Sequence, residues 1–194
     1  MKSNKGFETV LPIGYKQYST INLSDRKTAI KIQYAFVGIA FVIFMIARLF
    51  NFPLTSSYSG WLTALITVSL CFSYMFLHEL THGLFIQLIS HEKPKYNLSF
   101  PYLTTGSNVY LTRTSFIIVC LAPVVLWGLI LITALVVIPE AWFFIVFIVL
   151  IVNFAGSAGD YFQFIKVLKI PKDALLKDDG HITVVYSKKI QSKS

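Results

Sequence analysis

The most apolar part of this chain is residues 114–152, which read TSFIIVCLAPVVLWGLILITALVVIPEAWFFIVFIVLIV and contain one charged side chain, Glu140. A helix needs about 20 predominantly apolar residues to cross the hydrocarbon core of a bilayer. Pro139 ends a first segment of that length, 114–138, and a second apolar segment starts after it and continues to about residue 164. The stretch therefore predicts two membrane-spanning helices that are joined by a short turn.

Two further apolar segments precede this stretch, and the composition of the whole chain agrees with a membrane protein. The four predicted spans cover, approximately, residues 32–50, 61–89, 114–138 and 142–164. Hydrophobic residues make up 55% of the 194 residues and charged residues 13%, against about 25% charged residues in soluble domains. A soluble core of this size cannot bury so much apolar surface. The expected fold class is an all-α membrane protein with four transmembrane helices.

The basic residues are distributed unevenly along the chain. Of the 17 Lys and Arg residues, all except Arg48 fall before the first span, in the loop 90–113 or after residue 165. The positive-inside rule then places both termini and this loop in the cytoplasm. We expect a cytoplasmic N-terminal segment (1–29), a transmembrane domain (30–166) and a short cytoplasmic tail (167–194). The net charge of +8 thus indicates topology and contact with the lipid bilayer, and not nucleic-acid binding.

The cytoplasmic segments carry strand signals. In the loop, residues 96–100 and 108–112 are strand-like and flank a turn-like cluster at 104–107, which predicts a small hairpin. In the tail, the turn signal Asp178–Gly180 precedes a predicted strand over residues 181–186.

The second span contains the motif His78-Glu79-Leu80-Thr81-His82. Residues four apart share one face of a helix, so both imidazoles can bind one metal ion. Glu79 is then the candidate general base that acts on a water molecule at the metal, for which zinc is the expected ion. The alternatives are a polar cluster that only packs the helices and a metal site without hydrolytic activity.

A third ligand is needed if one coordination position is to stay open for water. His91 lies beyond the end of the span, and Glu140 lies at the opposite membrane face. Asp160 lies 18 residues after the tryptophan that begins its span, and His78 lies 17 residues after the equivalent tryptophan. The two side chains therefore reach almost the same depth, which makes Asp160 the predicted third ligand. The alternative is a helix-end charge in contact with water.

Asn153 shares a helix face with Gly156, Ser157 and Asp160, because these positions follow the helical spacing. We predict Asn153 as a substrate-binding residue. The alternatives are that Asn153 supports a metal ligand through a hydrogen bond, or that it only forms a hydrogen bond between helices.

These motifs resemble the putative zincin peptidase family of small bacterial membrane proteins. The resemblance rests on HELTHG at 78–83, NFAGSAGD at 153–160, LPIGY at 11–15 and YLTR at 110–113. That family is distantly similar to the site-2 proteases, which are intramembrane zinc metalloproteases. The resemblance implies that His78, His82 and Asp160 bind zinc and that Glu79 is the base. The chain departs from the site-2 pattern at Gly156, where a proline is expected, and at Tyr161, where a glycine is expected.

The predicted function is that of a zinc-dependent, membrane-embedded endopeptidase in the bacterial cell membrane. It would cleave a membrane-associated peptide or protein near the cytoplasmic face, and an edge of the loop hairpin would hold that substrate extended. The alternative is a catalytically silent membrane scaffold or regulator that retains a structural zinc site. A metal transporter is a weaker alternative, because it would need ligands along a path and the spans contain one cluster.

Overall fold

The computed structural model describes residues 6–99 and 102–188, and most of them are helical. The helices are α1 (Arg26–Leu49), α2 (Gly60–Ser90), α3 (Arg113–Val137), α4 (Glu140–Gly156) and α5 (Ala158–Leu168). By length and composition, α1, α2, α3 and the run Glu140–Leu168 are each able to cross a membrane. The prediction of four helices of this kind is confirmed.

The fourth predicted span consists of two helices that meet at Ser157. The Ser157 hydroxyl donates to the carbonyl oxygen of Asn153 at 2.8 Å, and such local bonds compete with the backbone ladder of a helix. As a result, Asp160 lies in the first turn of α5. The positive end of the helix dipole favours a carboxylate at this position.

The expectation of an all-α protein is wrong, because the described residues also form strands. They are β1 (Phe7–Glu8), β2 (Lys16–Asn22), β3 (Lys95–Ser99), β4 (Tyr102–Gly106), β5 (Tyr110–Thr112), β6 (Leu175–Asp178) and β7 (Ile182–Ser187). Five of them form an antiparallel sheet in the order β1-β5-β6-β7-β2. Side chains alternate along β7, with Thr183, Val185 and Ser187 buried. One face of the sheet is thus buried, as the two-residue period of a strand allows.

The loop after α2 forms a hairpin, but with a pairing other than the predicted one. Strand β3 pairs antiparallel with β4, and Lys95 lies opposite Gly106. The predicted turn at 104–107 falls largely within β4, because its β-branched threonines fit an extended strand. The predicted second strand, 108–112, corresponds to β5, which pairs with β1 and β6 in the larger sheet. Residue 100, at the end of the predicted first strand, lies outside the described residues.

The strand and turn predictions for the tail are confirmed. Strand β6 ends at Asp178 and β7 begins at Ile182, one residue after the predicted start. Gly180 between them has a φ angle of +94°, a conformation that glycine adopts without a steric penalty. The Asp178 side chain accepts a hydrogen bond from the backbone N–H of Gly180 at 3.2 Å, which stabilises the turn.

The described chain forms two compact units, each with its own apolar core. The sheet unit comprises residues 6–29, 79–99, 102–122 and 160–188. Its core includes Leu111, Phe116, Val167, Leu176 and Val185. The helical unit comprises residues 30–78 and 123–159. Its core is formed around Ala47, Phe147 and Leu150.

Candidate metal centre

The His-Glu-x-x-His motif lies within α2, as its spacing predicts. Three side chains of this helix, those of His78, Glu79 and His82, place one potential ligand atom each within 4.8 Å of one another. His82 is 9% exposed and the other two are partly buried. Two imidazoles and a carboxylate on one helix turn form a donor set that suits zinc.

The hydrogen bond of His82 defines which of its nitrogens can bind a metal. Its Nδ1 atom lies 2.9 Å from the carbonyl oxygen of Val119. Because a carbonyl only accepts hydrogen bonds, Nδ1 carries the proton and the neutral ring has its lone pair on Nε2. The acceptor is available for a local reason. Pro123 follows Val119 by four positions and lacks the N–H that would otherwise bond this carbonyl in the helix.

Asp160 lies beside the metal-binding nitrogen of His82. The distance from His82 Nε2 to Asp160 Oδ1 is 3.4 Å, which is longer than the roughly 2.8 Å of a charge-assisted hydrogen bond. Two tetrahedral zinc ligands with bonds of about 2.0–2.1 Å lie about 3.3 Å apart. The spacing of these two atoms therefore fits two ligands of one zinc ion. The structure thus places Asp160, the predicted third ligand, beside His82, one of the two predicted histidine ligands.

His78 is held by a chain of side chains in the helical unit. Its Nδ1 atom lies 3.0 Å from the hydroxyl oxygen of Tyr74. The same hydroxyl donates to Oδ1 of Asn153 at 2.7 Å, and Nδ2 of Asn153 donates to the carbonyl oxygen of Val124 at 3.3 Å. Asn153 is fully buried. Its predicted contact with a substrate stays a prediction.

The Glu79 carboxylate is bound by the hairpin. The Thr105 hydroxyl, on β4, lies 2.9 Å from both the main-chain oxygen and the Oε2 atom of Glu79, and its one proton is shared between these two acceptors. A single hydroxyl thus holds the helix turn and the side chain of the candidate base together. The other carboxylate oxygen of Glu79, Oε1, takes no part in the bond to Thr105.

The residue after the motif, Gly83, allows the hairpin to approach α2 closely. A Cβ atom at this position would clash with the hydroxyl oxygen of Tyr96, on β3. Burial and the charge of Glu79 together raise the pKa of Tyr96 above its ordinary value of 10.0. The two strands of the hairpin therefore contact α2 at Gly83 and at Glu79.

Reasoning from the sequence did not find Tyr74, Val119 or Thr105. Signals for two of them are present in the sequence. Tyr74 precedes His78 by four positions on the same helix face, and Pro123 marks the carbonyl of Val119 as an acceptor. The Thr105 contact depends on the strand pairing of the loop, which the sequence pattern did not predict.

A family model described as "Putative zincin peptidase" matches residues 71–175, more than half of the chain. The chain belongs to the putative zincin peptidase family. The matched region contains the motif in α2, together with Asn153 and Asp160, so the predicted family is confirmed. No curated protein and no solved structure matches the chain. The family and the His-Glu-His group together support a metallopeptidase.

Proposed function

We propose that this member of the putative zincin peptidase family is a zinc-dependent endopeptidase embedded in the membrane. The observation that carries the proposal is the arrangement at His82. Its Nδ1 proton is bound by the carbonyl of Val119, and its Nε2 atom is 3.4 Å from Oδ1 of Asp160. The ring thus presents a lone pair towards a carboxylate at the spacing of two zinc ligands.

In this proposal His78, His82 and Asp160 hold the zinc ion and Glu79 is the general base. The bound ion supplies Lewis acidity for a peptide carbonyl and for a water molecule. Glu79 accepts the proton of the attacking water and delivers it to the leaving amine. The Thr105 hydroxyl holds Oε2 of Glu79, so that Oε1 takes part in the proton transfer.

We propose a location in the bacterial cell membrane with both termini in the cytoplasm. The helices with the length and composition of spans support a membrane location, and the distribution of Lys and Arg supports the orientation. Residues 1–29 and 167–194 are then cytoplasmic, and the site acts near the cytoplasmic face.

The proposed substrate is a membrane-associated peptide or protein. A helical substrate has to unwind before a peptide bond can reach the base, because its backbone groups are hydrogen-bonded within the helix. The hairpin β3–β4 contacts α2 at Gly83 and Glu79, and its edge would hold the unwound segment extended. Proline in place of Leu98, which blocks strand pairing, should then reduce cleavage and leave metal binding intact. Normal cleavage by that variant would exclude this role of the hairpin.

Substitution of Glu79 by Gln tests the proposed function. Bacterial membranes that contain wild-type protein or E79Q are compared by mass spectrometry of newly formed protein N-termini, and zinc is measured in both purified proteins. E92Q is the matched control, because Glu92 is an exposed acid just after α2. We expect new termini with wild type and E92Q, none with E79Q, and equal zinc in all three. Zinc in the wild type without any new termini would favour the silent scaffold over the peptidase.

A further inference from the structure

A buried chain of hydrogen bonds leads from His78 to the backbone of α3. We infer that Tyr74 and Asn153 are positioning residues which fix the proton of His78 on Nδ1 and so direct its Nε2 lone pair to the metal. The inference rests on the proposed zinc site. It adds Tyr74, and for Asn153 it favours the alternative of a contact with a residue that supports a metal ligand over the predicted contact with a substrate.

The first step concerns the orientation of the Asn153 amide. One end of this amide is 3.3 Å from the carbonyl oxygen of Val124. Since a carbonyl only accepts hydrogen bonds, the amide nitrogen has to face Val124. The amide oxygen therefore faces the Tyr74 hydroxyl, at 2.7 Å.

The second step concerns the single proton of the Tyr74 hydroxyl. The amide oxygen of Asn153 only accepts, so this proton lies on the bond to Asn153. Towards His78, at 3.0 Å, the hydroxyl oxygen can then only accept. The donor in that bond is Nδ1–H of His78, and the neutral ring has its lone pair on Nε2. His78 thus has the same tautomer that Val119 imposes on His82.

The third step is that Tyr74 and Asn153 are shielded from water. Asn153 is 0% and Tyr74 is 5% exposed. The ring of Trp127 packs edge-on against Tyr74, with centroids 6.3 Å apart and planes at 90°. Water is therefore kept from replacing any of these partners, and a buried group that lost its partner would carry the full desolvation cost. Partners of this kind behind a metal-binding histidine are typically worth about 10–100-fold in metal affinity.

Two variants with a matched control test the inference through metal affinity. Y74F removes the hydroxyl and keeps the ring, and N153L removes the acceptor of the hydroxyl proton. Y58F is the control, because Tyr58 lies in the same unit with its ring against Trp142. We expect zinc affinity, measured by competition with a chelator, to fall about 10–100-fold in Y74F and N153L and to stay unchanged in Y58F.

The tautomer itself is read by nitrogen NMR of the metal-free protein. The chain has four histidines, so single His→Gln variants assign every ring. We expect His78 to carry its proton on Nδ1 in the wild type and on Nε2 in N153L, where the Tyr74 hydroxyl is released to donate to the ring. A proton on Nε2 of His78 in the wild type would overturn the inference, whatever the protein binds or cleaves.

The double variant Y74F/N153L separates a linked chain from two independent packing effects. If both residues act through His78, the zinc affinity of the double variant should be no lower than that of the single variant with the lower zinc affinity. Losses of zinc affinity that add up in the double variant would overturn the inference. A larger KM of N153L with unchanged zinc affinity would also overturn it and would instead indicate the predicted substrate contact of Asn153. A wild-type protein that binds no zinc would refute the proposed function, and the NMR experiment would still decide the inference.

Discussion

His82 donates through Nδ1 to the carbonyl oxygen of Val119 at 2.9 Å. This is the carbonyl that Pro123, four residues further along α3, leaves without its helical donor. A proline inside a candidate span therefore supplies the acceptor that fixes the proton of a candidate zinc ligand. The Val119 carbonyl lacks a hydrogen bond from residue 123, and the hydrogen bond from His82 takes its place.

Replacement of Pro123 by Ala should weaken zinc binding without weakening the fold. The alanine N–H competes with His82 for the Val119 carbonyl, so zinc affinity should fall about 10-fold. Because a helix-interior proline costs about 3 kcal/mol, the thermal stability of the metal-free protein should not decrease. P139A, at the residue before α4, is the control and should bind zinc like the wild type. Unchanged affinity in P123A would show that the bond does not position His82.

Replacement of Asp160 by Ala should reduce zinc affinity at least about 100-fold, because it removes one of three protein ligands. The measurement is a chelator competition with purified protein. D173A is the control, since the Asp173 side chain bonds Ser187 and Lys188 in the sheet unit. Full zinc affinity in D160A would refute the assignment of the third ligand.

Replacement of Thr105 by Val should lower kcat about 10-fold or more and leave the zinc content unchanged, because Oε2 of Glu79 loses its donor. T105S keeps the hydroxyl and should restore most of the activity. T104V is the matched control. The Thr104 hydroxyl oxygen is buried and has no hydrogen-bond partner among the described residues, so its loss should not reduce stability. Equal kcat values for T105V and wild type would exclude a role for Thr105 in holding the base.

Replacement of Gly83 by Ala should destabilise the protein, although alanine in a helix is ordinarily favoured over glycine by about 1 kcal/mol. The added methyl group clashes with the hydroxyl and ring carbons of Tyr96, so that this ring has to move away and its contact with α2 is lost. G159A is the comparison, because a Cβ atom there meets nothing within 4 Å beyond the adjoining residues of its own helix, and this variant should gain stability. Thermal unfolding of both variants, and of G83A/Y96A as the expected rescue, measures the effect.

Asp178 should make the protein less stable as the pH rises. Burial raises its pKa from 3.8 to about 6, so the folded state binds this proton more tightly than the unfolded state. The favourable contribution is complete below about pH 4 and is lost as the pH rises through about 6. D178N keeps an acceptor for Gly180 and Thr183, and it should be more stable than the wild type at pH 7.5 by on the order of 3 kcal/mol. A stability difference that does not change between pH 4.5 and 7.5 would contradict this expectation.

The sequence predicted what depends on local composition and spacing. The apolar segments and the histidines four apart in α2 follow from neighbouring residues, and counting from the two tryptophans predicted that Asp160 lies level with the histidines, where the structure places it beside His82. The larger sheet does not, because Lys16 in β2 pairs with Ser187 in β7, far away in the chain. The Tyr74 contact with Asn153 joins residues 79 positions apart. Such contacts are decided by the packing of helices and strands, which no local pattern specifies.

The pairing of β2 with β7 also determines how late in synthesis the larger sheet can be completed. Residues 16–22 leave the ribosome long before residues 182–187 exist, and translation takes on the order of 10–30 s to cover the interval at about 5–20 residues per second. The larger sheet belongs to the same unit as Glu79, His82 and Asp160. This unit therefore closes only after β7 has been synthesised, when the apolar helices have already been made. The candidate metal ligands of this unit thus gain their complete sheet only when nearly all of the described chain has been made.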